Sequence, residues 1–130
     1  MNILNSRIHG YIDYAIVALL VLAPSLFGFA GLPATICYIL AVVQLGMSLL
    51  TAYPLGVVKA IPFPIHGGIE LGAGLFLIAS PWLFNFAHIA SAQIFFIIAG
   101  VAVALVWMVT NYRTADTEVS TSARYRGDYP

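Results

Sequence analysis

Charge is what this chain has least of. Of its 130 residues, five are Lys or Arg and five are Asp or Glu, so 8% are charged while 62% are hydrophobic. Soluble domains carry about 25% charged residues, and a soluble chain this short cannot hide so much apolar surface, because small domains bury a limited fraction of it. The formal net charge of zero predicts nothing about partners, and no basic patch points to nucleic acid, so none is expected. Cysteine is nearly absent too: Cys37 stands alone, so no intramolecular disulfide can form. It lies in an apolar run, where a small buried side chain is its ordinary role. No nucleophile stands beside a base and an orienting group, and the residues point away from an enzyme.

What is abundant is uninterrupted apolar sequence, with a mean hydropathy of +0.97. Between Asp13 and Lys59 lie 45 residues without a formal charge, and between Glu70 and Arg113 another 42. One membrane span takes about 20 residues at a rise of about 1.5 Å each. Each run is therefore too long for one helix and right for a helical hairpin. Gly28, Gly31 and Pro33 break the first run, and Pro81, Asn85 and His88 the second. The fold expected is all-α, with four transmembrane helices over residues 8–29, 33–53, 65–86 and 91–112. Residues 1–53 form the first hairpin unit and 65–112 the second. The connector 54–64 holds Pro54, Gly56, Pro62 and Pro64, and 113–130 reads as a polar tail without apolar periodicity.

All five basic residues (Arg7, Lys59, Arg113, Arg124 and Arg126) fall on one side of such a bundle. The positive-inside bias then places both termini and the connector in the cytoplasm. A cleavable leader over residues 1–30 is the rival reading, with Phe29-Ala30-Gly31 as a loose cleavage site. Asp13 and the internal repeat argue against it.

That repeat organises the chain. A shift of 57 residues lays residues 7–30 on 64–87 without a gap, and ten of the 24 pairs are identical. Ile8-His9-Gly10 falls on Ile65-His66-Gly67, Asp13 on Glu70, and Pro24 on Pro81. The second helices match loosely, with Thr51 and Tyr53 meeting Thr110 and Tyr112 after a two-residue insertion. Two spans per copy make the repeats parallel, related by a pseudo-two-fold axis along the membrane normal. The segment Ser80-Pro81-Trp82-Leu83-Phe84-Asn85-Phe86, in a chain of two short hairpins, resembles the SPW-repeat family of bacterial and archaeal membrane proteins. The likeness covers about residues 7–112, with the naming tripeptide intact at Ser80, Pro81 and Trp82 and degenerate at Ala23-Pro24-Ser25. It implies fold, topology and a bacterial or archaeal cytoplasmic membrane, and no particular activity.

Proline kinks or ends a helix, so a break is expected at Pro24 and Pro81, about 16 residues into each first span. Ser80 would bond a freed carbonyl there, and Trp82, with Phe84 and Phe86, suits an interfacial belt. Gly68 and Gly72 have the spacing of a close helix contact, and Gly100 with Ala104 forms a notch for packing. Gln44 sits mid-span, where an interhelical hydrogen bond is its ordinary role.

The chemistry-bearing residues are His9 with Asp13 and His66 with Glu70. Each pair is four apart and so shares a helix face. Ionisable groups within spans are costly and face a bundle interior or cavity. Converging, the four would hold a divalent metal, relay protons or receive a polar substrate group. Two histidines on parallel helices would also suit haem, given a wide slot. The plainer alternative is local: each histidine pairs with its own carboxylate near the interface, and the acids complement a helix start. Three functions compete on these residues. One is a structural or interaction protein that self-associates or joins a larger assembly. The others are a metal- or cofactor-binding redox component and a small proton-coupled transporter.

Overall fold

A computed structural model describes residues 3–113. The tail read from residue 113 onward lies outside the described residues beyond Arg113, as do Arg124 and Arg126. Four helices account for most of the described chain: α1 (Ser6–Phe27), α2 (Leu32–Leu49), α3 (Phe63–Leu83) and α4 (Ala90–Val109). All four are long and apolar enough to cross a membrane. The Asn5 side chain accepts from the Ile8 N–H at 2.9 Å and opens α1, and Pro64 stands in the first turn of α3, where its missing N–H costs nothing. Helices α1 and α2 pack along each other, as do α3 and α4, and α1 also touches α4.

Pro24 and Pro81 stand in the last turns of α1 and α3, which end at Phe27 and Leu83. The prolines close these helices rather than bend them midway. The carbonyl of each then accepts from a residue five positions on: Phe29 N–H to Pro24 at 3.0 Å, Phe86 N–H to Pro81 at 2.8 Å. Both turns need a left-handed residue, supplied by Gly28 at φ 69° and Asn85 at φ 59°. Ser80 Oγ donates to the Phe76 carbonyl at 2.6 Å; the carbonyl that Pro81 leaves without its N–H partner is that of Leu77, one residue on. Trp82 and Phe84 are exposed at this end of the bundle, whereas Phe86 turns inward onto Phe96 with ring centroids 4.9 Å apart.

The other ends of α2 and α4 differ from the expected spans. Helix α2 stops at Leu49 and α4 at Val109, before the Thr and Tyr residues that follow each. The chain is turned there by backbone pairing. Ala60 and Ile61 donate to Leu50 at 3.1 and 2.7 Å, and Thr51–Ala52 (β1) pairs in parallel with Ile61–Pro62 (β2). The same arrangement recurs where the N-terminal segment meets α4. Ile3 and Leu4 donate to Val109 at 2.8 and 2.9 Å, and Leu4 bridges Thr110. Each first helix is thus approached by a segment tied to the end of the opposite hairpin.

The polarity of the bundle is inverted relative to a soluble one. Large apolar residues such as Val42, Leu75, Ile98 and Leu105 are exposed, while His9, Asp13, His66, Glu70, Gln44 and Ser48 are buried. An apolar solvent around the helices makes this the stable arrangement. An apolar core of Leu20, Cys37, Ala41, Leu77, Phe95 and Phe96, among others, fills the half nearer the prolines. The close helix approach lies between Gly74 and Gly100: a Cβ at Gly100 would stand 2.5 Å from the Gly74 carbonyl oxygen. Gly68 and Gly72 do not share it. Both face outward with nothing within 4 Å, because α3 turns its buried edge through His66, Glu70, Gly74 and Leu77 instead.

Candidate metal centre

His9 and Asp13 on α1 and His66 and Glu70 on α3 come together in one cluster. The His9, Asp13 and His66 side chains are 0% exposed and that of Glu70 is 3% exposed. At about 1.5 Å per residue the cluster sits roughly 5–10 Å along α1. So short a depth leaves open solvent near by in an isolated helix, yet here none reaches the groups. Phe63, Tyr53 and Tyr112 form an aromatic floor beneath them, with Phe63 5.0 Å from His9 and 4.6 Å from Tyr112 between ring centroids. Gly10 and Gly67 leave the space that Leu55 and the Tyr112 ring occupy. Desolvation of the cluster is nearly complete.

The pairing also crosses between hairpins. His9 Nε2 lies 2.9 Å from Glu70 Oε2 and 3.2 Å from Asp13 Oδ1, its own helix partner. His66 Nε2 lies 3.1 Å from Asp13 Oδ2 and 3.6 Å from Glu70 Oε2. In each case the carboxylate of the other hairpin is nearer, so local helix-start pairs do not describe the geometry.

Every member has a further partner. Tyr53 Oη donates to Asp13 Oδ2 at 2.9 Å, and Gln44 Nε2 donates to Glu70 Oε1 at 3.2 Å, so the mid-span Gln44 makes its interhelical bond to this cluster. Thr110 Oγ1 lies 2.8 Å from His9 Nδ1, and Thr51 Oγ1 lies 2.6 Å from His66 Nδ1. Burial, reinforced by the neighbouring Asp13, pushes the Tyr53 phenol up, and burial with Glu70 near by does the same to Tyr112. Both therefore stay protonated at neutral pH, and Tyr53 is a dependable donor. Tyr53, Tyr112, Thr51, Thr110 and Phe63 were not singled out as site residues from sequence. The one signal for the first four is the loose Thr-x-Tyr match at the ends of the return helices.

Among the described residues, the buried side-chain atoms without an aligned hydrogen bond are Asp13 Oδ1, His66 Nε2, Ser48 Oγ and Tyr112 Oη. Two belong to the cluster itself. Tyr112 rests its ring on His9 with centroids 5.8 Å apart, and Ser48 reaches Tyr53. Each still has a polar neighbour: Asp13 Oδ1 stands 3.2 Å from His9 Nε2 and His66 Nε2 stands 3.1 Å from Asp13 Oδ2, so buried polar atoms crowd together here without well-directed bonds.

A cation fits that description. Each of the four residues offers one ligand atom, and these atoms lie within 4.8 Å of one another. Ligands about 2.0–2.1 Å from a tetrahedral ion stand about 3.4 Å apart; the histidine–carboxylate separations of 2.9, 3.2, 3.1 and 3.6 Å, which involve both Asp13 oxygens, lie around that value in a set spanning up to 4.8 Å. Two imidazoles and two carboxylates suit zinc or another first-row divalent ion. Haem does not fit: aromatic side chains fill the space below, and the cavity on the other side has about 50 Å³, too little for a macrocycle.

The chain is thus a four-helix membrane bundle with buried histidines and carboxylates gathered at one end. The model of the SPW repeat domain matches residues 7–110, and the chain belongs to that family. No curated protein and no solved structure matches it.

Proposed function

We propose that this membrane protein holds one divalent transition-metal ion between His9, Asp13, His66 and Glu70, and that the ion clasps its two hairpins together. The observation that carries the reading is the convergence of two buried carboxylates and two imidazole Nε2 atoms, in which His66 Nε2 and Asp13 Oδ1 have near neighbours but no aligned hydrogen bond. Two carboxylates at membrane depth need two positive charges beside them. One divalent ion supplies both and gives His66 Nε2 and Asp13 Oδ1 a directed partner. The clasp joins α1 to α3, whereas the extensive helix contacts lie within the hairpins, α1 with α2 and α3 with α4. Its role is structural, and a closed four-ligand site is the kind that contributes folding energy outright.

Arg7, Lys59 and Arg113 lie at the site end, so the positive-inside bias supports a cytoplasmic face there and both termini inside. The two hairpins then stand as parallel repeats in a bacterial or archaeal cytoplasmic membrane. Outward-facing Gly68 and Gly72 offer a notch where a second copy would pack; cross-linking in native membranes tests that association. Proton-coupled transport draws less support, because the cavity beside Glu70 has Gln44 as its other polar lining side chain and apolar walls elsewhere.

The deciding experiment is elemental analysis of protein purified in detergent without chelator. One equivalent of a transition metal per chain is expected, falling away in His66→Ala. A metal-free protein that takes up no Zn²⁺, Co²⁺, Mn²⁺ or Fe²⁺ on reconstitution overturns the proposal.

A further inference from the structure

Thr51 and Thr110 stand outside the four-residue ligand set, yet they occupy matching places around it. Each follows the end of a return helix, α2 or α4, and each reaches a histidine of the opposite hairpin. Thr51 Oγ1 lies 2.5 Å from the carbonyl oxygen of Met47, and Thr110 Oγ1 lies 2.5 Å from that of Val106. A carbonyl has no hydrogen to give, so at that separation the hydroxyl proton must lie on the line to it. The same hydroxyl oxygens stand 2.6 Å from His66 Nδ1 and 2.8 Å from His9 Nδ1. With its proton committed, each oxygen can only accept. Nδ1 must then carry the hydrogen on both rings, which leaves Nε2 as the atom facing the carboxylates.

We infer that Thr51 and Thr110 are positioning residues that set the tautomer and ring orientation of His66 and His9, committing both imidazoles to bind the ion through Nε2. The inference rests on the metal-centre reading and deepens it. A ligating histidine usually donates its other ring N–H to a carboxylate, carbonyl or water, and that outer bond fixes which nitrogen meets the metal. Here an alcohol does this work, and it is made a pure acceptor by the helix carbonyl four residues earlier. The relay Met47 carbonyl, Thr51, His66 has its counterpart in Val106 carbonyl, Thr110, His9. Each relay runs from one hairpin into the other, so the ligand geometry depends on how α2 and α4 end.

The test uses the full chain in detergent, with Co²⁺ and Zn²⁺ as probes. Long-range ¹H–¹⁵N spectra of the Zn²⁺-loaded wild type are expected to show metal on Nε2 and hydrogen on Nδ1 of both rings. The reverse assignment overturns the inference without any variant. Thr51→Val and Thr110→Val remove the acceptor while keeping the shape. Each is expected to weaken Co²⁺ affinity about 10–100-fold and to alter the Co²⁺ ligand-field spectrum, with Thr→Ser restoring both. Valine variants that bind Co²⁺ with wild-type affinity and spectrum refute the positioning role while leaving the centre standing. A wild type that binds neither ion refutes the centre, and the inference with it.

Discussion

Replacing His66 with alanine separates a metal clasp from a buried ion-pair cluster. His66 Nε2 lies 3.1 Å from Asp13 and 3.6 Å from Glu70, and all three side chains are at most 3% exposed. With chelator present, the substitution removes one partner from a buried charged set, and the carboxylates left behind cost about 3–5 kcal/mol. With free metal at about one hundred times Kd, binding adds about 2.7 kcal/mol to the wild type. The variant, short of one ligand, gains little of that. The gap between the two proteins therefore widens from about 3–5 to about 6–8 kcal/mol. Unfolding of the full chain in detergent, run once with chelator and once with buffered Zn²⁺, reads both gaps. Equal gaps in the two arms refute the clasp and leave the ion-pair cluster. A gap below about 1 kcal/mol in both arms refutes the buried convergence itself.

Four further outcomes follow from the packing and the floor of the site. Gly100→Ala places a methyl against the Gly74 carbonyl and Ile78, and overpacking there is expected to cost about 1–3 kcal/mol by the same unfolding assay. Gly72→Ala, which meets nothing, is expected to be neutral or to gain up to about 1 kcal/mol from helix propensity; equal losses at both glycines would contradict the assigned helix rotation. Tyr53→Phe deletes the donor to Asp13 Oδ2 and is expected to cost about 1–3 kcal/mol and to weaken Zn²⁺ binding, measured by competition with a chromophoric chelator. The phenols of Tyr53 and Tyr112 are raised in the folded protein, so their share of stability is full below the unfolded value of about 10 and is lost as pH climbs past it. Absorbance at the phenolate band should show neither ionising before alkaline unfolding begins; early ionisation of both would mean an open floor.

The helices were legible because a membrane imposes a coarse rule, that charge must be scarce for about 20 residues at a time. Runs of 45 and 42 uncharged residues therefore locate two hairpins. The 57-residue offset carried more, since it reads His9 and His66, and Asp13 and Glu70, as equivalent positions at equal depth, while leaving open whether the two pairs converge. Helix rotation was not legible. Gly68 and Gly72 have the spacing of a packing motif, yet they face outward while Gly74 makes the close approach. Spacing alone does not distinguish adjacent faces of one helix. The outer partners were hidden for a different reason. His9 meets Thr110 across 101 positions and Glu70 across 61, so they arise from how the hairpins close on each other.

The departures from symmetry bear on how the cluster of histidines and carboxylates is held together. Thr51 and Thr110 act alike on the two histidines, but the carboxylates are secured differently. Asp13 is held by Tyr53 from the floor, and Glu70 by Gln44 from α2. Tyr112, the counterpart of Tyr53, has no hydrogen bond to Glu70, and its hydroxyl has Thr110 for a neighbour. Glutamate is one methylene longer than aspartate, and here that reach carries Oε1 to Gln44 while Oε2 stays 2.9 Å from His9. The Asp/Glu difference and the single mid-span Gln44 are thus one adaptation: the second hairpin draws its carboxylate support from the first hairpin's return helix. Each acid keeps one oxygen pinned by a neutral donor; Asp13 Oδ1 and Glu70 Oε2 face His9, while the pinned Asp13 Oδ2 also stands 3.1 Å from His66 Nε2.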